Sequence, residues 1–514
     1  MVTGSPPIRR AMAVAAGLVA SLGLLVGCAA GPDDRGPDDG VLRLALSGEV
    51  PSFDPALQQS GGDLLWRWHA VFDTLLHCSK DGTVVPGAAE SFDFSPDART
   101  LTMRLRAGMT FSDGSPVTAG AAKATIERMQ TGGGSDSGRV EGMTVEAPDE
   151  QTVVITAPRP TGQLPTFMCL APGIVANPAQ FEDDSISSTP MSSGPYVLDP
   201  AASTSGSVYT LRKRPDYWNA DAYDYDTLVL TVMPDVMARL NALKSGQVAG
   251  GLLQQEQSGD ARSAGLHILS TPASWAGLFI ADRAGEQVPA LGDVRVRRAI
   301  NMVFDRAAIA EGMWAGEAAP TTQIFNPAAT AHLPELEQRY PYDVGAARRL
   351  MAEAGYADGF EIQVPSQSGL GGTARYNPLI TQQLALIGIR VVEVPLTGPT
   401  ALSQILGGRF PVFWARLDNG DSLFDVTATL QPDSIWNPRD SRDPVLQKLL
   451  DRAQTARGPG AQQVFQEINA YVVDQAWFAP WVTVNSFFAV DDPALVPENT
   501  DQFHTVPNLW DFRR

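Results

Sequence analysis

Apolar residues in the first part of this 514-residue chain follow two spacings, one typical of strands and one typical of helices. Residues 41–46 form a mostly apolar run, which predicts a largely buried first strand. A helix is predicted to follow over residues 64–76. Strict alternation over residues 101–106 predicts a half-buried strand, so we expect an antiparallel meander in this part of the chain.

The second half of the chain is richer in helical spacing. Asp293 precedes apolar residues spaced three and four positions apart, so we expect it to cap an amphipathic helix. Asp343 and Gly355 are expected to bracket another helix, because glycine accepts the left-handed conformation just beyond a helix C terminus. A further helix is predicted over residues 379–387 and should stop at Gly388.

A predicted strand at residues 389–394 follows Gly388 at once. Helix, glycine and strand in this order are typical of α/β proteins. The change of pattern near residue 284 indicates that a different structural unit begins there.

The N terminus has the pattern of an export signal. Two arginines precede a mostly apolar run at residues 11–26, which is too short to span a bilayer comfortably. The run ends in Leu-Val-Gly-Cys, which resembles the bacterial lipoprotein box. We therefore predict a signal peptide over residues 1–27, lipidation of Cys28 and a flexible linker over residues 28–40. The alternative is an ordinary signal peptide followed by a free cysteine.

Composition indicates a globular protein of two or three domains, because 44% of the residues are hydrophobic and 18% are charged. The net charge of −19 would repel phosphate backbones, so nucleic acid is not expected as a partner. The five histidines lack the spacing of metal ligands, and motifs for hydrolases, NTPases and dinucleotide binding are missing from the sequence. The chain is therefore predicted to be no enzyme and to need neither metal nor cofactor.

The two cysteines beyond residue 28, Cys78 and Cys169, form an even number in an oxidising compartment. They can pair as one disulfide. The alternative is that both are buried thiols that pack as small hydrophobic residues.

Several sequence blocks occur in an order that resembles the extracytoplasmic solute-binding proteins of family 5, the peptide, oligopeptide and nickel class that serves ABC importers. Each block is weak evidence by itself, whereas the ordered set is specific. The block at residues 105–114 is similar to the signature loop of the family, although Ser112 stands where histidine is frequent. The other blocks are at residues 41–46, 52–56, 71–76, 81–91, 193–196, 214–218, 242–248 and 293–300.

The resemblance implies a two-lobed α/β clamp of the periplasmic-binding-protein type II-like class (cluster C), with an extra subdomain in the first lobe. When the lobe boundaries of the family are transferred to this chain by the order of the matching blocks, the first lobe would comprise residues 41–76, 190–283 and 484–514. The extra subdomain would comprise residues 77–189, and the second lobe residues 284–483. Such clamps enclose their ligand by hinge closure between the lobes.

The implied function is that of the substrate-binding component of an ABC importer. It would capture a peptide-like or other small polar solute and deliver it to the permease and its ATPase. We expect a monomer outside the cytoplasm that is attached to the cell membrane through its lipid anchor. The alternative function is a surface receptor or adhesin that uses the same fold to sense peptides or bind a partner.

Residues 414–419 are the first candidates for ligand contacts. Peptide-binding members of the family commonly carry Trp-x-x-Asp here, whose carboxylate holds the α-amino group of the peptide. In this chain Asp418 comes one position late and Arg416 precedes it, so Arg416 is a candidate for a ligand carboxylate or phosphate, with a surface salt bridge as its alternative. Trp414 and Asn419 complete this group.

Four aromatic residues are further candidates, because a dehydrated interlobe pocket needs apolar walls. Trp275 is expected near the crossing to the second lobe. Core packing is the alternative for each of these aromatic residues. The remaining three are Phe53, Trp66 and Trp436.

Overall fold

The structure is a computed structural model. It describes residues 40–49, 52–58, 61–79, 82–134, 136–366, 373–397, 400–496 and 505–514. The predicted signal peptide, Cys28 and the linker up to residue 39 lie outside these residues.

The described residues form seventeen strands and fourteen α-helices. The strands are β1 (Val41–Leu46), β2 (Leu76–Cys78), β3 (Val84–Pro86), β4 (Ala89–Phe94), β5 (Thr100–Leu105), β6 (Thr144–Glu146), β7 (Thr152–Thr156), β8 (Tyr196–Leu198), β9 (Val208–Lys213), β10 (Thr227–Val232), β11 (Gly250–Leu253), β12 (His267–Ile280), β13 (Ala318–Pro320), β14 (Phe360–Ser366), β15 (Ile389–Pro395), β16 (Val412–Asp418) and β17 (Phe478–Val490). The helices are α1 (Trp66–Val71), α2 (Ala119–Gln130), α3 (Ser137–Val140), α4 (Leu164–Phe167), α5 (Val236–Lys244), α6 (Gln255–Ser263), α7 (Val294–Met302), α8 (Arg306–Trp314), α9 (Val344–Glu353), α10 (Thr373–Ala385), α11 (Ala401–Leu406), α12 (Ser422–Thr429), α13 (Pro444–Thr455) and α14 (Gly458–Gln475).

A nine-stranded mixed sheet runs through the molecule. Its strand order is β16-β12-β17-β11-β1-β10-β9-β8, and β13 pairs with β17 beside this path. Strand β1 pairs in parallel with β10, whereas β10, β9 and β8 are antiparallel. The strand pair β2-β3 is followed by a separate antiparallel sheet of order β4-β5-β7-β6. The antiparallel pairing agrees with the sequence prediction, but the sheet is not a meander, because β7 lies between β5 and β6.

Strands β12 and β17 join two lobes. Leu269 near the start of β12 packs in the core around β1, whereas Leu278 near its end packs in a second core with α7 and α9. The pairing of β12 with β17 shifts register between Pro272 and Ser274, at the passage from one core to the other. The lobes are thus connected by two long antiparallel strands.

The predicted first strand and the two capped helices are confirmed. Strand β1 has the predicted bounds. At the start of α7, Asp293 accepts a hydrogen bond from Arg295 N at 2.8 Å. At the start of α9, Asp343 accepts a hydrogen bond from Ala346 N at 2.8 Å. Gly355 has φ +87° just beyond α9, in the left-handed region that favours glycine.

Two predicted helices were wrong in extent. Where the sequence predicts a helix over residues 64–76, the structure has only the short helix α1. The helix ends there because Phe72 is extended, and the backbone after it forms hydrogen bonds to a distant segment: Leu75 N donates to Gly173 O at 2.7 Å. The helix over residues 379–387 is α10, which starts earlier and continues through Pro378. Gly388, with φ +81°, then leads into β15 as predicted.

Cys78 and Cys169 form a disulfide bond in the structure, with their Cα atoms 5.6 Å apart. Both residues are buried. The bond links β2 to the segment after α4 and closes a loop with a sequence separation of 91 residues.

Candidate functional site

A cavity of about 550 Å³ lies between the two lobes. This volume is within the range of small-molecule binding sites. The first lobe contributes loops around β1, α3 and α4, and the second lobe contributes the turn between β16 and α12. The lining side chains that carry charge or an aromatic ring are Asp63, Asp136, Arg139, Phe167, Asp418, Asp421 and Phe424.

The turn at residues 418–421 is held in place by hydrogen bonds. Asn419 N donates to Ala273 O at 2.8 Å, and Asn419 Nδ2 donates to Ile324 O at 2.8 Å. The buried carboxylate of Asp425 accepts from Gly420 N at 2.9 Å and from Asn419 Nδ2 at 3.0 Å. The turn is therefore fixed by β12 and by the first part of α12.

Asp418 presents its carboxylate to the cavity. Within the described part of the chain, the carboxylate has no hydrogen-bond or ion-pair partner. The side chain is open to the water of the cavity, yet the surrounding protein raises the pKa of Asp418, and the positive charge of Arg416 opposes this rise. A carboxylate in this position gains from the approach of a cation.

The charged groups on the first-lobe wall already have partners. Asp63 is buried and accepts hydrogen bonds from Ser47 N at 2.5 Å and Ser47 Oγ at 2.7 Å. Burial raises the pKa of Asp63, and the bonds from Ser47 oppose the rise. Arg139 donates from Nε to Asp136 Oδ1 at 2.6 Å. These groups shape the wall and differ in this respect from Asp418, whose carboxylate has no such partner among the described residues.

Arg139 also bridges the lobes through aromatic rings. Its guanidinium carbon lies 5.3 Å from the ring centroid of Phe167 in the first lobe and 5.4 Å from that of Phe424 in the second. Both distances are within the range of cation–π attraction. This side chain therefore contacts both walls of the cavity.

Polar contacts close one edge of the cavity. Gly162 N donates to Gln454 Oε1 at 3.0 Å, and Thr427 Oγ1 donates to Gln163 Oε1 at 3.0 Å. An exposed ion pair joins Arg159 to Asp433 at 2.9 Å. We call residues 159–163 the latch segment. Its contacts join the first lobe to the second lobe in this structure.

Three of the predicted ligand residues lie at or beside the cavity. Asp418 and Asn419 line it. Arg416 lies two residues earlier on β16 and is exposed, and its Nε donates to the buried Ser274 Oγ at 2.7 Å. The alternative of a surface salt bridge is not seen for Arg416 among the described residues, since its side-chain partner there is the hydroxyl group of Ser274.

The predicted aromatic residues lie in the cores instead of on the cavity wall. Trp275 is 1% exposed and stacks on Phe279 at 4.8 Å between ring centroids. Trp414 is buried and stacks on Tyr376 at 3.8 Å. Trp436 is half-buried and packs against Phe279 at 5.7 Å. At these three positions the structure therefore shows core packing, which was the alternative to ligand contact.

The two aromatic residues of the first lobe are also packed inside it. Phe53 is buried beneath Arg67, whose guanidinium lies 3.9 Å from its ring centroid. Trp66 is buried and donates from Nε1 to Pro507 O at 2.7 Å. Neither side chain lines the cavity between the lobes.

Several wall residues were not among the sequence candidates. Asp421 has a recognisable signal, because it caps α12 by accepting from Phe424 N at 2.7 Å, and acidic residues before a helix are common caps. Arg139 and Phe167 have no such signal, since only the tertiary fold brings their segments to the second lobe.

The described residues contain no group of three or more histidine, cysteine or acidic side chains that would hold a metal ion. In the same part of the chain, no helix is long and apolar enough to cross a bilayer.

Comparison with known proteins places the chain in a family. The sequence model of the bacterial extracellular solute-binding proteins, family 5, matches residues 83–432, so the chain belongs to this family. This confirms the predicted family. Proteins of this kind bind solutes for transport and are not enzymes, which confirms that prediction as well.

Two relatives cover most of the chain. A Brucella ovis protein named as an ABC transporter peptide-binding protein is 27% identical over 87% of this chain and 88% of its own length. The glutathione-binding protein GsiB of Salmonella choleraesuis is 26% identical over 72% of each chain.

Solved structures share the fold. HbpA2 from Haemophilus parasuis superposes with a TM-score of 0.76 at 19% identity and covers 88% of this chain and 95% of its own. DppA from Helicobacter pylori, solved with the peptide STSA, superposes with a TM-score of 0.69 at 18% identity and covers 92% and 97%. The predicted two-lobed α/β clamp is thereby confirmed.

Proposed function

We propose that this protein is the substrate-binding component of an ABC importer, and that it captures a peptide-like or other small polar solute in the cavity between its lobes. The observation that carries the proposal is the cavity of about 550 Å³ with the unpartnered carboxylate of Asp418 on its wall among the described residues. The names of the two relatives, which refer to peptides and to glutathione, support the same class of ligand.

Asp418 is proposed to bind a positively charged group of the solute, such as an α-ammonium group. The surrounding protein raises the pKa of this carboxylate, so a bound cation would relieve an electrostatic cost that the ligand-free cavity carries. Asn419 positions the turn and presents polar atoms beside it. Arg416 is proposed to set the local charge from its site on β16 instead of holding an anionic ligand.

The lobes are proposed to follow the boundaries expected from block order, with the connecting strands β12 and β17 as the hinge. A ligand that contacts both walls stabilises the closed arrangement by its differential affinity for that state. Residues 28–40 with a lipidated Cys28 are proposed to tether the clamp to the membrane near the permease. A random-coil tether of about a dozen residues would reach on the order of 20 Å.

Capture is tested by native mass spectrometry of the mature protein after incubation with a casein peptide digest. We expect discrete adducts that disappear in Asp418→Asn and persist in Asp451→Asn, an exposed carboxylate on α13. Small-angle scattering should show compaction with the same digest. Absence of adducts and of compaction in the wild-type protein would refute a peptide-like solute.

The tether is tested separately by membrane fractionation of the host. The wild-type protein should sediment with membranes, and Cys28→Ser should appear in the soluble extracytoplasmic fraction. An equal distribution of both proteins would contradict lipidation at Cys28. Uptake of a captured solute should stop in a strain that lacks the partner permease.

A further inference from the structure

A second cavity of about 550 Å³ lies on the other side of the latch segment. Strands β3 and β4 form one wall, and helices α12, α13 and α14 form the other. Both lobes therefore contribute to it. Most of its wall is apolar, including Val84, Phe92, Phe94, Leu423, Ala456 and Phe465.

Arg457 supplies a positive charge to this apolar wall. Its Nη1 donates to Ala456 O at 2.8 Å and to Gln454 O at 3.2 Å, and its guanidinium carbon lies 4.7 Å from the ring centroid of Phe94. No carboxylate of the described residues lies within ion-pairing distance of it. Partial burial lowers the pKa of Arg457, although an arginine stays charged at neutral pH.

Asp421 is an acidic group on the wall of this cavity, and it also lines the first cavity together with Thr166. Its carboxylate accepts the hydrogen bond from Phe424 N at 2.7 Å and caps α12. The acidic group is thus already used by the protein, whereas the guanidinium of Arg457 faces the cavity with only carbonyl and ring partners. An apolar cavity with one such cation favours an apolar anion.

We propose that the second cavity is a separate binding site for an aryl or alkyl carboxylate. The apolar part of the ligand packs between Phe94 and Phe465, and the carboxylate pairs with Arg457. Because Phe94 belongs to the first lobe and Arg457 to the second, an occupant of this site favours the closed clamp. The site differs in chemistry from the first cavity, since its ligand group is an anion that pairs with Arg457 and not a cation.

The probe for this site is 4-phenylbutyrate, titrated calorimetrically into the mature protein. We expect binding that weakens at least tenfold in Arg457→Gln and stays unchanged in Arg452→Gln, an arginine on α13 whose partner is Glu467 at 2.7 Å. The neutral amide 4-phenylbutyramide should bind at least tenfold more weakly than the acid. Ala456→Phe, which fills the cavity, should also weaken binding of the acid, with thermal unfolding checked to show that the variant is folded.

Absence of acid binding to the wild-type protein would overturn the proposal, as would equal affinities for acid and amide or unchanged binding in Arg457→Gln. Asp418→Asn separates this site from the first cavity. We expect it to abolish capture of peptides while it leaves binding of 4-phenylbutyrate unchanged. Loss of probe binding in Asp418→Asn would show that the probe occupies the first cavity and would also overturn the proposal.

Discussion

Asn419 and Asp425 are joined by a hydrogen bond of 3.0 Å from Asn419 Nδ2 to Asp425 Oδ2, across the turn that lines the interlobe cavity. The other oxygen of the same carboxylate accepts from Gly420 N at 2.9 Å. Asp425 does not line the cavity. One buried carboxylate thus helps to hold the wall residues that precede it, together with the hydrogen bonds from Asn419 to Ala273 O and Ile324 O.

Asp425→Ala should therefore weaken solute binding through the turn. The change leaves two donors without their acceptor, each costing about 1–3 kcal/mol when buried. We expect a loss of about 2–6 kcal/mol in the free energy of unfolding and at least tenfold weaker binding of the peptide. Asp425→Asn retains one acceptor oxygen and should fall between Asp425→Ala and the wild type. Denaturant titration and calorimetry measure the two quantities.

A matched control is Asp451→Ala, which removes an exposed carboxylate from α13. It should change neither quantity by more than about 0.5 kcal/mol. If Asp425→Ala kept full affinity in spite of its lower stability, the carboxylate would serve the fold alone and would have no positioning role.

Gly162 in the latch segment should be needed for complete closure. A methyl group on Gly162 would lie 2.5 Å from Gln454 O and 2.8 Å from Leu423 Cδ2, both in the second lobe. Gly162→Ala should therefore disfavour the closed clamp and weaken solute binding at least tenfold, while thermal unfolding of the ligand-free protein changes little. Scattering with saturating peptide should show less compaction than the wild type.

Gly460→Ala is the control for this experiment, because no atom lies within 4 Å of the added methyl group. It should compact like the wild type. Equal compaction and equal affinity in Gly162→Ala would show that the latch segment moves aside without cost and does not limit closure.

The affinity for a cationic solute should depend on pH through Asp418. Partial desolvation by the surrounding protein raises the pKa of this carboxylate, so the folded protein holds the proton of Asp418 more tightly than an unfolded chain does. The contribution of Asp418 to stability is therefore largest at low pH and is lost as pH rises through the raised pKa. A bound ammonium group lowers the pKa again, so binding releases a proton and affinity falls as pH is lowered through this range.

Calorimetry in two buffers with different ionisation enthalpies measures that proton release. It should be present in the wild type and absent in Asp418→Asn, whose residual affinity should not change over the same pH range. A wild-type affinity that rises on acidification would contradict a cationic ligand group at this carboxylate.

Local signals explain what the sequence predicts well. Asp293, Asp343 and Gly355 act through their nearest backbone neighbours, so their roles are visible without tertiary structure. The helix expected to run through residue 76 failed because the donors after Phe72 bond to a distant segment around Gly173. Backbone partners of that kind are set by the tertiary fold.

In the candidate site, too, the contacts that depend on the tertiary fold could not be predicted from local sequence. Asp418 was found because its sequence neighbourhood resembles a family motif, whereas Arg139 and Phe167 reach the cavity only when two distant segments fold together. Trp414 belongs to the same motif and Trp275 to the predicted crossing between the lobes, but a large apolar ring serves a core as well as a cleft. Sequence pattern alone does not separate these two environments.

The disulfide between Cys78 and Cys169 should contribute substantially to the stability of the first lobe. It closes a loop with a sequence separation of 91 residues, for which the chain-entropy model gives about 4–5 kcal/mol. Cys78→Ala and Cys169→Ala should each lower the free energy of unfolding by about 4 kcal/mol, and the double variant should lose no more than either single variant, because one bond is broken in all three.

Two unlinked buried thiols would instead give small losses that add in the double variant. Urea titration with and without a reductant distinguishes the cases, since reduction should destabilise the wild type alone.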